Sequence, residues 1–192
     1  MRKLIVSMNI SLDGFMSGPG DQLDWHLQCW TSEMGDELCS QLLKADTIIL
    51  GRVTFNQMAA YWPAKSFGHH CRDEDFAYAN MMNSYTKIVF SKSIQAPAWS
   101  NSKLASGDPA YEIGRLKKLP GKNLMVYGSC SLVETLIKAG LVDEYQLWLH
   151  PVVLGSGRRL FNNLLHGIAV QLLHTRTFHT GVVTLCYEQQ KR

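Results

Sequence analysis

Apolar and polar residues alternate near the start of the chain. Leu4, Val6, Met8 and Ile10 are set against Lys3, Ser7 and Asn9, which predicts a strand. Later apolar runs are near-continuous, at Thr47–Leu50, Lys87–Phe90 and Leu124–Tyr127, as in strands buried on both faces of a parallel sheet. Helical spacing lies between them: Met34, Leu38, Leu42 and Leu43 within Ser32–Lys44, then a short helix over Glu74–Met82. Asp108 before Pro109 reads as an N-cap for a helix carrying Ile113, Leu116 and Leu119, and Lys103–Ala105 reads as a short strand. Glu144–Val153 predicts a long strand broken by Gly155-Ser156-Gly157, and Val170–His174 and Val182–Tyr187 predict a final antiparallel pair. Strands alternate with helices and then follow one another, which predicts an α/β fold as one domain over residues 1–192. Its sheet is parallel in the first part with an antiparallel C-terminal edge.

Ligands of such sheets sit at the carboxyl ends of the strands, so the loops at Asp13, Gly51, Ser91 and Gly128 are expected on one rim. The densest stretch is Asn123–Gly140. A buried strand ends at Gly128, Ser131 and Glu134 have capping-box spacing, and Leu132, Val133, Leu136 and Ile137 give the next helix an apolar face. A glycine turn at a helix start suits an anion, and it equally suits a plain strand–helix connection; this stretch leaves the two level. Gly51-Arg52-Val53-Thr54-Phe55 repeats the arrangement. Residues 62–73 read as irregular, with His69 and His70 as solvated loop residues.

Composition narrows the classes. A net charge of +3 without a run of Lys and Arg gives no footprint for nucleic acid. No apolar run approaches the ~20 residues that span a bilayer, and the expected location is the cytoplasm. Five cysteines without C-x-x-C spacing give neither a disulfide framework nor a metal site.

Two glycine turns opening helices would cradle a pyrophosphate, although neither has G-x-G-x-x-G spacing. Arg52 and Lys92 close two strands, where a cation suits the 2′-phosphate of NADP. Asp13 either orients a substrate or fixes its loop through backbone hydrogen bonds. Glu33, Asp36 and Glu37 open a helix, where acids are favourable through the dipole and where a catalytic acid could sit. Trp25, Trp30 and Trp62 either wall a pocket for a flat ring or belong to the core.

These residues resemble the dihydrofolate reductase-like superfamily, specifically the reductase domain of the bacterial bifunctional riboflavin-biosynthesis deaminase–reductase. The resemblance rests on Ser11-Leu12-Asp13-Gly14, Gly51–Phe55, Ile88-Val89-Phe90-Ser91, and Val126–Gly157 including Ala139–Glu144. It implies a three-layer fold with a mainly parallel sheet and an NADPH-dependent oxidoreductase. The implied activity is of the 5-amino-6-(5-phosphoribosylamino)uracil reductase type. The alternatives are a dihydrofolate or pteridine reductase, and a non-catalytic NADP(H)-binding protein. By the same resemblance Gly51, Arg52, Thr54, Ser91, Lys92, Gly128, Ser129, Cys130 and Ser131 hold the cofactor. Asp13 and Glu33 are the catalytic candidates, Asp13, Phe15 and Trp25 line the substrate pocket, and the protein is a homodimer, for which the apolar alternation from Tyr145 to Leu154 around Trp148 is the expected interface. The chain departs from the riboflavin enzymes at Met58–Ala64, which lacks their acids and arginine, and at Lys44, which matches one of their arginines.

Overall fold

The computed structural model describes residues 1–65, 73–162 and 164–190. Among these residues ten strands and five α-helices follow one another: β1 (Leu4–Ser11), β2 (Phe15–Ser17), α1 (Ser32–Leu42), β3 (Ala45–Gly51), α2 (Arg52–Lys65), α3 (Asp73–Ser84), β4 (Thr86–Phe90), β5 (Ser102–Leu104), α4 (Pro109–Lys118), β6 (Asn123–Val126), α5 (Cys130–Lys138), β7 (Glu144–His150), β8 (Arg158–Arg159), β9 (Val170–Thr177) and β10 (Val183–Gln189). Eight strands form one sheet in the order β5-β4-β3-β6-β1-β7-β10-β9. It is parallel as far as β7, and the antiparallel hairpin β9–β10 closes one edge, as the patterning predicts. β2 and β8 form a separate two-stranded ribbon above the sheet, which the sequence reading lacks.

Alternation along the central strands sorts side chains to two cores. Leu4, Val6, Met8 and Ile10 of β1 pack under α4 and α5 with Leu132, Val133, Leu136 and Ile137. Ile5 faces the other way, with Leu42, Ile48, Leu50 and Met82 under α1, α2 and α3. Trp148 of β7 joins Met34, Phe178 and Val182 beneath α1. The two helical layers thus grip a sheet whose middle strands are covered on both sides.

The caps follow local chemistry where it is unambiguous. Asp108 accepts from Ala110 N and Tyr111 N at 2.9 and 3.2 Å, opening α4. The capping box at Ser131 does not form. α5 opens at Cys130 with Ser129 as its N-cap, so Ser131 already lies in the first turn, and Glu134 pairs with Lys138 one turn on at 2.6 Å. α2 continues through Pro63 to Lys65, where the sequence predicts irregular chain; His69 and His70 lie outside the described residues. Lys117 of α4 pairs with Asp143, which also accepts from Leu4 N at 2.8 Å and so pins a helix to two central strands.

The apolar alternation around Trp148, read above as a subunit interface, is consumed within the chain: Tyr145, Leu147 and Trp148 are all buried between β1 and β10. Among the described residues no helix is long and apolar enough to cross a membrane. Among them, too, no group of three or more His, Cys, Asp or Glu could hold a metal ion.

Candidate functional site

The carboxyl ends of β4, β3 and β6 are neighbours, so the turns after them meet. Gly51 N donates to Gly128 O at 2.8 Å, bringing two glycines into contact where the strands end. Neither position has room for a side chain. A Cβ on Gly51 would stand 2.8 Å from Ser129 N, and one on Gly128 would stand 2.7 Å from Thr54 Oγ1, with φ of +121° besides. α2 begins at Arg52 and α5 at Cys130, immediately beyond this crossing, so two helix N-termini open side by side. The arrangement presents backbone N–H groups and excludes side chains from them, which is what a close-lying phosphate needs.

Cations flank the crossing. Arg52 and Lys92 are exposed, and among the described residues neither is engaged in a hydrogen bond or ion pair. Ser91 Oγ accepts from Ser93 N and Ile94 N at 3.1 and 3.0 Å, shaping the turn that carries Lys92. Ser129 and Ser131 hydroxyls lie 3.2 Å apart at the mouth of α5. Burial pushes the Cys130 thiol up, so it is a small neutral residue in the turn rather than a thiolate.

Asp13 makes the loop-fixing hydrogen bonds of one of its two readings. It takes a hydrogen bond from Ser11 Oγ at 2.6 Å and from Leu154 N and Gly155 N at 3.2 and 2.8 Å, while Arg159 donates to its carbonyl at 3.2 Å. The Ser11 hydroxyl above all, with the two backbone donors, pulls its carboxyl down to about 2. Asp13 is therefore an ionised clamp between the β1–β2 and β7–β8 connections, and a poor proton donor. Beside it Phe15 is buried under the Arg159 guanidinium, 4.4 Å from the ring centre. Phe15, Met16, Cys130, Gly157, Arg158 and Arg159 line a cavity of about 330 Å³ that joins this loop to the mouth of α5.

The acids of α1 lie elsewhere. Glu33 is exposed, 3.9 Å from His179, Glu37 takes Arg176 and Gln41 at 3.0 Å, and Asp36 is exposed. Glu33 and Asp36 face outward, while Glu37 is turned to the sheet, where its carboxylate is paired with Arg176 of β9. Trp25 is not on the cavity but lies edge-on to His26 and His150, with ring centres 5.5 and 5.3 Å away. Trp30 is 39% exposed, and Trp62 packs edge-on to Tyr78.

Sequence reasoning missed the polar group beneath α1. His150, at the carboxyl end of β7, is 1% exposed, and its Nε2 lies 3.0 Å from Asn9 Oδ1 of β1. Burial first, and the adjoining His26 second, push the His150 pKa down to about 4. Its place on the face shared with Gln146 and Trp148 is the only trace of this in the sequence.

Residues 2–184 match the model of the RibD C-terminal domain. The Bacillus subtilis (strain 168) protein YyaP is 34% identical over 186 residues, covering 97% of this chain and 94% of its own. A riboflavin-biosynthesis assignment accompanies a crystal structure from Shewanella sp. PV-4 that superposes with a TM-score of 0.75 at 18% identity, over 98% of this chain and 99% of that one. The dihydrofolate reductase of Enterococcus faecalis, complexed with NADP(H), gives a TM-score of 0.61 at 15% identity over 98% and 97% of the two chains. Likeness at these last two identities is likeness of fold.

Proposed function

We propose, from the premise that the chain belongs to the RibD C-terminal domain family, that it is a reductase of the riboflavin-pathway type using a nicotinamide dinucleotide. The observation that carries the reading is the crossing of Gly51 and Gly128, where two helix N-termini open and no side chain fits. The dinucleotide, when bound, supplies the hydride. The residues present suit it: Gly51, Thr54 and the turn Gly128–Ser131 would receive the pyrophosphate. Arg52, with Lys92 on the turn built by Ser91, would grip a 2′-phosphate, so the cofactor is NADPH. Asp13 and Arg159 hold the β1–β2 loop against the β7–β8 loop and keep Phe15 beside the rim. The substrate is a small heterocycle, nominally an aminouracil. The acid that α1 turns to the sheet, Glu37, is paired with Arg176, so the reading as a dihydrofolate reductase is the weaker one.

A homodimer is proposed on ground other than Trp148. β9 is the edge strand and exposes Val170, Leu172 and Leu173. Sedimentation giving a 21.6 kDa species at micromolar concentration would rule the dimer out.

Titration of NADPH and NADH into wild type and Arg52→Ala tests the cofactor. A charge-assisted phosphate contact contributes ~1.5–3 kcal/mol, so NADPH is expected to bind roughly tenfold or more tighter than NADH, and the variant to lose that preference alone. Equal losses for both cofactors would refute the role given to Arg52. Steady NADPH oxidation across a panel of aminouracils, pteridines and folates tests turnover. Binding without oxidation across the panel would favour a non-catalytic nucleotide-binding protein.

A further inference from the structure

The cavity of about 330 Å³ between the β2–β8 ribbon and α5 carries positive charge that the chain leaves uncompensated. Arg158 and Arg159 stand on one side of it and Cys130, in the first turn of α5, on the other. Arg159 donates to the Asp13 carbonyl and lies over Phe15, and among the described residues it has no carboxylate partner. The acid that lines the cavity, Glu134, is tied to Lys138 at 2.6 Å. At the mouth of α5, Ser17 is 2% exposed, and its hydroxyl has no hydrogen-bond partner among the described residues; the Cys130 thiol beside it is a weak acceptor. A buried hydroxyl left in this state is uncommon in a finished core. A helix N-terminus, an orphaned donor and an unneutralised guanidinium thus meet at one opening, and each of them favours an anion.

Arg158 is placed differently. Its Nε donates to Asp21 Oδ1 at 2.7 Å, and the pair is open to water, with the arginine side chain 58% and the aspartate 46% exposed. Asp21 belongs to the turn that follows β2, so the pair fastens that turn to β8. Burial is the main reason the Cys130 thiol is pushed up; of the charges that act on it, Arg158 draws it down and Asp21 drives it up. Both charges therefore stand at the first turn of α5. An exposed ion pair of this kind is weak, and a guanidinium keeps further N–H groups beside the Nε–H that Asp21 takes. An anion of higher charge arriving between arginine and helix can take two parallel N–H bonds at once, exchanging one weak contact for a charge-assisted fork.

We propose that Arg158 is the anchor for the diphosphate of the dinucleotide, and that Asp21 is an internal anion competing for it. This rests on the reading of the protein as a reductase using a nicotinamide dinucleotide, and it names both the cation of the diphosphate and the side chain that holds that cation back. In the free chain Asp21 occupies the guanidinium. A diphosphate at the mouth of α5 displaces the carboxylate, which returns to water. Arg52 and Lys92 are assigned to the 2′-phosphate, whereas Arg158 acts on the part that NADPH and NADH share.

The test measures, by calorimetry on the full chain, binding of inorganic pyrophosphate, NADPH and NADH to wild type, Arg158→Gln, Asp21→Asn and the double variant. Arg158→Gln is expected to weaken all three ligands roughly five- to tenfold and to leave the NADPH-to-NADH ratio unchanged. Asp21→Asn is expected to tighten all three roughly two- to fivefold, the range that an exposed ion pair can hold back. In the double variant the Asp21→Asn effect should vanish, because the two side chains act on each other. Wild-type protein supplies a second readout: the 15N resonance of Arg158 Nε should move on adding pyrophosphate. Undiminished binding in Arg158→Gln, binding not tightened in Asp21→Asn, an Asp21→Asn effect that persists in the double variant, or an unmoved resonance would overturn the proposal. If neither dinucleotide binds while pyrophosphate still answers to both substitutions, the reductase reading fails and the anchor stands. If the dinucleotides bind wild type and Arg158→Gln alike, the anchor fails and the reading stands.

Discussion

Gly51→Ala is the sharpest test of the rim. The added methyl would stand 2.8 Å from Ser129 N and 3.1 Å from Ser129 Cβ, both well inside van der Waals contact. Gly51 has no left-handed backbone to forfeit, so any loss comes from crowding at the crossing alone. The backbone nitrogen cannot rotate away as a side-chain tip would. The strand ends must part, stretching the 2.8 Å bond from Gly51 N to Gly128 O. Overpacking of this sort costs about 1–3 kcal/mol. Gly114→Ala is the internal control: it lies within α4, and a Cβ there meets nothing within 4 Å. By helix propensity it should stabilise by about 0.5–1 kcal/mol. Urea unfolding should therefore move in opposite directions for the two variants. Dinucleotide affinity should fall at least tenfold in Gly51→Ala and stay unchanged in Gly114→Ala. Combining Gly51→Ala with Ser129→Gly should recover only part of the loss, since the backbone nitrogen remains. If Gly51→Ala matched Gly114→Ala in both stability and affinity, the crossing would be no tighter than an ordinary turn and the cradle argument would fail.

Other predictions follow from the same geometry. Lys87 is fully buried and donates to Met82 O, Asn83 O and Tyr85 O at 2.7, 3.1 and 2.8 Å, so Lys87→Met should cost about 2–4 kcal/mol in urea unfolding by stranding the carbonyls that end α3. His150 is held neutral with a folded pKa of about 4 against about 6.5 unfolded. The unfolded chain thus binds the extra proton between these values, and stability should fall by at most ~3 kcal/mol as pH drops from 6.5 to 4. His150→Gln should flatten that slope in unfolding curves taken at several pH values. Asp13→Asn should leave the melting temperature nearly unchanged while speeding hydrogen exchange at the Leu154 and Gly155 amides, which now donate to its carboxylate; unaltered exchange there would refute the clamp.

Much of this was legible in the chain because the signals were local. The uniform apolar runs of β3 and β6 announced strands covered on both faces, and Asp108-Pro109 announced α4, since each depends on residues within a few positions. What escaped was set by distance. Asp13 meets Gly155, 142 residues away, and Asn9 meets His150, 141 residues away, and no spacing rule joins such pairs. The Ser131–Glu134 spacing misled because Ser129, two residues earlier, was already suitably placed to start the helix. Apolar alternation in β7 was read as an interface because strand order cannot be read from periodicity. The same pattern fits a strand on a surface and one enclosed by β1 and β10.

The position of β1 has a consequence for how the chain acquires its shape during synthesis. This strand pairs on one side with β6, from Leu4 with Leu124, and on the other with β7, from Ile5 with Glu144. A ribosome must therefore deliver more than 120 residues before the first strand finds either neighbour, and the helices made meanwhile have no sheet centre to rest on. Contacts so remote in sequence carry a large closure entropy and slow the search. The apolar face of Leu4, Val6, Met8 and Ile10 stays open throughout that interval, a window in which a nascent chain is most exposed to association with others and most in need of a holding chaperone.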